Sequence, residues 1–276
     1  MCKHRLAEAN SQSAASRQKR TPMQTIAIDG NSLSLEQVEA IATKRTPIAL
    51  TDACLAKVKK CREYVDKVIA RGDVVYGLTT GFGKFSTVTV PLEHTAELQV
   101  NLIRSHATSV GPVYSTAQTR AIMLLRVNVL AKGHSGIRVQ TLQTLVEMLN
   151  RGVHPLIPMR GSVGASGDLS PLSHLALPLI GEGEAEFQGQ IMSGAEAMRK
   201  AGLEPVKLAA KEGLALNNGT QVMAALGVLN LLEAERLCKY ADLSAAASID
   251  ALRGTPRAFD PLVHALRPHP GQADSA

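Results

Sequence analysis

Residues 219–253 read as one helical run of 35 residues, about 50 Å long if unbroken. A helix of that length belongs in a bundle, with partners along it. Most of those partners are missing. After Arg253 the chain gives a proline-broken segment and stops at Ala276. Apolar residues of the run such as Val222, Leu226 and Leu229 are then expected to lack covers and to favour aggregation. Ala, Leu and Val dominate the chain, aromatics make up 3% and Trp is absent. That composition suits helices packed through aliphatic ridges better than a β-sandwich. The expected fold class is mainly α.

The chain has 276 residues, enough to bury a substantial core in one or two domains. Its formal charge is +6, but +4 of it falls in residues 1–22, through Lys3, Arg5, Arg17, Lys19 and Arg20 against Glu8. The body is near neutral and has no basic stripe with interleaved aromatics, so nucleic acid is not an expected partner. Residues 1–22 are polar and aperiodic and read as a disordered basic tail. Ordinary sequence begins at Met23, which leaves open whether translation starts at Met1 or Met23. No apolar run reaches membrane-spanning length and no secretion signal is evident. Cys2, Cys54, Cys61 and Cys238 form no Cys-x-x-Cys pair and read as reduced thiols of a cytoplasmic protein. The histidines show no His-x-x-x-His pair and no metal-ligand spacing with acids, so no metal is expected.

Helix signals punctuate the body. Ser34 and Gln37 form a capping box ahead of Leu35, Val38 and Ile41. Thr51 caps a longer helix that ends at Gly72. Residues 73–90 are Gly/Thr-rich, loop-like and carry Tyr76. Pro91 opens a helix reaching about His106. Residues 115–132 and 135–151 are two more helices, closed by Gly133 and Gly152. Residues 154–167 read as a loop, with a helix over 169–180 behind it. A short hairpin is expected around Gln188-Gly189.

The loop contains Gly161-Ser162-Val163-Gly164-Ala165-Ser166-Gly167-Asp168. Its first reading is a turn. Gly-x-Ser-x-Gly fails because Asp168 holds the last position, and no lysine follows to make a phosphate loop. A chemical reading also exists. If the Gly167 amide nitrogen attacks the Ala165 carbonyl carbon, a five-membered ring closes. Loss of water, including the Ser166 hydroxyl, leaves a conjugated exocyclic methylene, an electrophile that ordinary side chains lack. Asp168 is read as capping the following helix while assisting cyclisation.

The run from Gly161 to Gly183, GSVGASGDLSPLSHLALPLIGEG, closely resembles the signature of the histidine and aromatic amino acid ammonia-lyase family. Three further blocks resemble that family's motifs. They are Tyr76-Gly77-Leu78-Thr79-Thr80-Gly81-Phe82-Gly83, Asn101-Leu102-Ile103-Arg104-Ser105-His106-Ala107 and Gly213-Leu214-Ala215-Leu216-Asn217-Asn218-Gly219-Thr220-Gln221. Histidine lyases are the most similar members. The resemblance covers roughly Ile26 to Gln272 and implies the family's N-terminal half. It also implies a fumarase/aspartase-like architecture. A domain bearing a methylidene-imidazolone (MIO) ring, residues 23–212, would be followed by the start of a long central bundle, residues 213–276, incomplete here.

The resemblance further implies that Ala165, Ser166 and Gly167 form the ring and that Tyr76 is the base removing the substrate's β-proton. A tyrosine base needs a neighbouring positive charge or dipole that favours its phenolate. His106 matches the substrate-facing histidine. Asn218 matches the asparagine that hydrogen-bonds ring or substrate, although a helix cap ahead of Gly219 is an equally natural role. Two departures stand out. Thr79 replaces the Asn common in histidine lyases, and Asn217 replaces an aliphatic residue. The expected reaction is elimination of ammonia from L-histidine to trans-urocanate, by a cytoplasmic homotetramer when full-length. An aromatic amino acid lyase acting on tyrosine or phenylalanine, or a 2,3-aminomutase, remains open. So does a catalytically silent fragment.

Overall fold

The computed structural model describes residues 24–164 and 167–276. The expected disordered tail, residues 1–22, and the ring residues Ala165 and Ser166 lie outside the described residues. The architecture is mainly α, as composition and periodicity indicate. Strand β1 (Ile26–Ile28) leads to α1 (Leu35–Thr43) and then to β2 (Ile48–Leu50). The two strands pair in parallel, Ile26 opposite Ile48. The capping box forms at the start of α1: Ser34 Oγ accepts from the Gln37 amide at 3.3 Å, and Gln37 Oε1 from the Ser34 amide at 3.0 Å. Helix α2 (Asp52–Arg71) begins at Thr51 and stops at Gly72, whose φ is +73°.

Helix α3 (Thr95–His106) starts later than Pro91, because a 3-10 turn over Leu92–His94 precedes it. Strand β3 (Val110–Val113) follows, then α4 (Thr116–Ala131) and α5 (Val139–Arg151). The start of α5 is also later than the sequence pattern suggests. Gly136 turns with φ +73°, and the Arg138 amide donates at 3.0 Å to Glu212 Oε1 instead of entering a helix. Gly152 closes α5 with φ +79°.

The stretch expected to be pure loop holds two short strands, β4 (Val153–Pro155) and β5 (Pro158–Arg160). Its backbone groups pair across sequence, β5 with β3 and β4 with the hairpin strand β6 (Glu184–Phe187). Helix α6 (Leu169–Leu179) lies between β5 and β6. The hairpin closes onto β7 (Gln190–Ser193) through Gln188 and Gly189, whose φ values are +52° and +80°. Two left-handed residues are what a tight two-residue hairpin demands. Helix α7 (Gly194–Lys200), the short α8 (Glu212–Asn217) and the long α9 (Gln221–Ala251) complete the body. Two small helices, α10 (Pro261–Ala265) and α11 (Pro270–Ser275), end the chain.

Helix α4 occupies the centre, packed against α1, α2, α5 and α9. Ile122, Met123, Leu124, Val127 and Leu130 are all fully buried, each stabilising by about 1.5–3 kcal/mol. The exposure expected of Val222, Leu226 and Leu229 on α9 is not observed. Val222 is buried, and Leu226 and Leu229 pack partly buried on the core. Residues lacking covers come further along, at Leu237, Tyr240 and Leu243.

Candidate active site

Gly167 has a φ of +110°, and a Cβ there would lie 2.7 Å from the Gly219 carbonyl oxygen. Only glycine fits this position, because the conformation and the contact each exclude a side chain. The next residue, Asp168, donates its amide to the same Gly219 oxygen at 2.6 Å. Its carboxylate is completely buried. Oδ2 accepts from the amides of Val222 and Met223 at 2.9 and 3.1 Å, and Oδ1 accepts from Ser162 Oγ at 2.7 Å. This corrects the expected capping role. Asp168 precedes α6, yet its side chain makes no cap there and instead caps α9. A carboxylate on the first amides of α9 meets the positive end of that helix dipole.

Asn218 ends α8 rather than opening α9. Its backbone is extended (φ −96°, ψ 114°) at the C-cap of α8. Thr220 is the N-cap residue of α9 and makes no side-chain cap. The capping alternative for Asn218 is therefore wrong, because Asp168 already occupies the α9 amides. The Asn218 side chain is exposed and free to meet a ligand. Asn217, by contrast, is fully buried. Its Nδ2 donates to Ser173 Oγ at 3.2 Å, while its Oδ1 has no partner.

Tyr76 sits in the turn-rich loop after α2 and is 57% exposed. Its Oη accepts from the Gly83 amide at 3.3 Å, and its ring meets Phe82 edge-on with centroids 6.2 Å apart. His106 is the last residue of α3. Its Nδ1 lies 2.9 Å from the Leu102 carbonyl and 3.0 Å from Ser105 Oγ. Donation from Nδ1 to that carbonyl leaves Nε2 as an acceptor. Gly81, Phe82, Val88 and Val90 of the Tyr76 loop and Asn101, Ser105 and His106 of α3 line one cleft of about 480 Å³.

Hydrogen bonds join this cleft to the Gly167 region. After His106, the Thr108 amide donates to Ser170 Oγ at 3.2 Å, and Ser109 Oγ lies 2.6 Å from the same hydroxyl. The Ser109 amide donates at 3.2 Å to Nε2 of His174, an imidazole whose pKa burial pushes down. Ser170 and His174 belong to α6, directly behind Gly167. On the other side, Gln99 of α3 is buried and accepts the Gly213 amide of α8 at 3.0 Å. The described parts of the four motifs thus converge on one region through α3, α6 and α8.

The matching family model is that of the aromatic amino acid lyases, over residues 33–276. The chain belongs to that family. It is 51% identical over 251 residues to a histidine ammonia-lyase of Gloeobacter violaceus, covering 91% of this chain and 49% of the relative. Among solved structures it resembles histidine ammonia-lyase from Trypanosoma cruzi, with TM-score 0.86 and 40% identity over 91% of this chain and 49% of that one. It also resembles tyrosine aminomutase from Streptomyces globisporus, with TM-score 0.85 and 39% identity over 91% and 48%. The chain spans about half the length of these relatives.

Gly167 has the left-handed backbone and the close approach to Gly219 that leave no room for a side chain, as a ring built from its own nitrogen would require. Among the described residues, no group of His, Cys, Asp and Glu could hold a metal, and no helix is long and apolar enough to cross a membrane.

Several residues that shape the site escape sequence reading. Ser162 bonds Asp168 and also accepts the Gly164 amide at 3.2 Å, so it ties together the two sides of the triplet. Glu212 is completely buried at the start of α8. It accepts from Arg138 Nη2 at 2.6 Å, Arg138 Nε at 3.0 Å and the Ala209 amide at 2.8 Å. Arg126 lies beneath the α8–α9 junction. It is the one charged residue between Ala121 and Leu130, a stretch otherwise apolar but for Asn128.

Proposed function

We propose that this chain carries the ring-forming portion of an ammonia-lyase that eliminates ammonia from L-histidine to give trans-urocanate. The observation that supports the reading most directly is the contact of Gly167 and Asp168 with Gly219, which joins the ring triplet to the asparagine motif. The chemistry the MIO ring supplies is an electrophilic methylene able to draw electrons from the substrate amine. Ala165, Ser166 and Gly167 would form it, and Gly167 has the bare backbone that close approach requires.

The other roles belong to this chain's own side chains. Tyr76 Oη takes the β-proton, its hydroxyl held by the Gly83 N–H that it accepts. His106 presents Nε2 as an acceptor to the substrate's ring N–H, its orientation held from Leu102. The Asn218 side chain, uncommitted at the junction, supplies a fixed dipole where charge develops. Residues 23–212 and 213–276 are proposed as the ring-bearing domain and the beginning of the central bundle. The complete enzyme is proposed to be a cytoplasmic homotetramer.

A second reading, a tyrosine-directed lyase or aminomutase, is favoured by the likeness to the Streptomyces enzyme and by the Thr79 departure. An ultraviolet assay separates the two. The purified chain is incubated with L-histidine and, separately, with L-tyrosine. Urocanate from histidine alone is the expected result. Coumarate absorbance from tyrosine, or β-tyrosine resolved from it by chromatography, supports the second reading. No product from a chain that bears the ring supports a silent fragment.

A further inference from the structure

Helix α4 buries two arginines that have no direct carboxylate partner among the described residues. Arg120 and Arg126 are each 2% exposed, and burial pushes each down to about 10. Arg120 bonds elements remote from the site: Nε and Nη2 donate to the Ile41 carbonyl at 3.0 and 2.9 Å, and Nη1 donates to the Leu149 carbonyl at 2.8 Å and to His154 Nε2 at 3.1 Å. Arg126 bonds only the α8–α9 junction. Its Nη1 donates to the Asn218 carbonyl at 2.8 Å and to Gln221 Oε1 at 2.6 Å, and its Nη2 donates to the Ala215 carbonyl. Its Nε is buried without a partner.

The junction brings the negative end of α8 beside the positive end of α9, with a single extended residue, Asn218, and Gly219-Thr220 between. Arg126 takes the α8 carbonyls and Asp168 takes the α9 amides, the arrangement that the two helix dipoles favour. Gly219 lies between the two charges. Its carbonyl receives the Asp168 amide, and a Cβ on it would collide with Arg126 Nη1. The guanidinium bonds the residues on either side of that peptide, the Asn218 carbonyl and the Gln221 side chain.

We propose that Arg126 is a positioning residue for ring formation: by clamping the Asn218–Gly219 junction, it holds the Gly167 backbone in the geometry from which the triplet cyclises. The inference rests on the proposed ring. In that step the Gly167 nitrogen bonds to the Ala165 carbonyl carbon. The Gly167 amide proton and the Ser166 amide proton leave with the Ala165 oxygen as one water. The Ser166 hydroxyl and its Cα proton leave as a second. No oxidant or reductant is consumed. A guanidinium reaches three diverging acceptors from one rigid plane, and an ammonium cannot.

The test compares Arg126→Lys and Arg126→Gln with Arg120→Lys, a change in an equally buried cation on the same helix. Each full chain is made in soluble form, its melting temperature is recorded, and the tryptic peptide spanning residues 161–199 is weighed over time. Both Arg126 variants are expected to accumulate the peptide lighter by two waters about a hundredfold more slowly than wild type, in line with the cost of small misplacements. Arg120→Lys is expected to melt at a similarly lowered temperature while forming the ring at the wild-type rate.

Hydrogen exchange gives a second readout. The Asp168 amide should lose protection in the Arg126 variants and keep it in Arg120→Lys. Wild-type ring formation and Asp168 protection in the Arg126 variants overturn the proposal, as does equal loss in Arg120→Lys. A soluble wild-type chain that never loses the two waters overturns instead the ring reading on which it rests.

Discussion

Helices α4 and α9 are both rich in apolar residues, and the fold treats them differently. Helix α4 is enclosed by α1, α2, α5 and α9, so even Arg120 and Arg126 are buried along it. Among the described residues, helix α9 is buried along its first third, through Val222, Ala225 and Leu232, and beyond them Leu237, Tyr240 and Leu243 stand exposed. The difference lies in the neighbours and not in the pattern. Burial follows what packs around a helix, and here stability concentrates around α4.

The sharpest way to break that contrast is a pair of matched truncations. Leu124→Ala, in the centre of α4, is expected to cost about 2–5 kcal/mol. Leu243→Ala, on the open part of α9, should change stability by no more than about 0.5 kcal/mol. Urea unfolding of the two variants measures both. Equal losses would mean that distal α9 is covered in solution.

Acid probes the α4 side by another route. His154 receives a hydrogen bond from Arg120 at 3.1 Å and faces Glu186 Oε2 at 3.1 Å through Nδ1. Burial first, and Arg120 second, hold its pKa down to about 4 against an ordinary 6.5, although Glu186 pulls the other way. Burial alone would raise the Glu186 carboxyl. The Gly189 amide, the Thr116 hydroxyl and His154 outweigh it and keep that group ionised.

Between pH 6.5 and 4 the unfolded chain binds a proton at this histidine that the folded chain refuses. Stability is therefore lost as pH falls through that window, by up to roughly 3 kcal/mol. Urea midpoints across this range should show the slope, and His154→Gln should flatten it.

The smallest effect expected is a gain. Asn217 Oδ1 is buried without a partner, and its Nδ2 bonds only Ser173. Removing both polar groups in Asn217→Leu/Ser173→Ala should stabilise the chain by about 1 kcal/mol. A loss of stability would show that a buried water completes the pair. Thermal melting decides between them.

Much of this was legible in the sequence because it depends on local rules. Ser34, Thr51 and Ser115 begin helices, Gly72 and Gly152 end them, and Gln188-Gly189 turns a hairpin, each through contacts within a few residues. What was not legible depends on partners distant in sequence. β4 and β5 need β6 and β3. The role of Asp168 could not be read locally, because the amides it caps lie 54 and 55 positions away. Arg126 bonds residues 89 to 95 positions away. At the site, the motifs propose Tyr76, His106, Asn218 and the triplet Ala165-Ser166-Gly167 as one group through the family resemblance. The helix-end pairing of Arg126 and Asp168 that shapes the junction carries no local signature.

The central claim is that Ala165, Ser166 and Gly167 become one ring. Mass spectrometry of the wild-type tryptic peptide 161–199 tests it most directly. The expected peptide is two waters lighter than its sequence, with the missing mass confined by fragmentation to residues 165–167. A folded, soluble chain whose peptide carries its full sequence mass would contradict it.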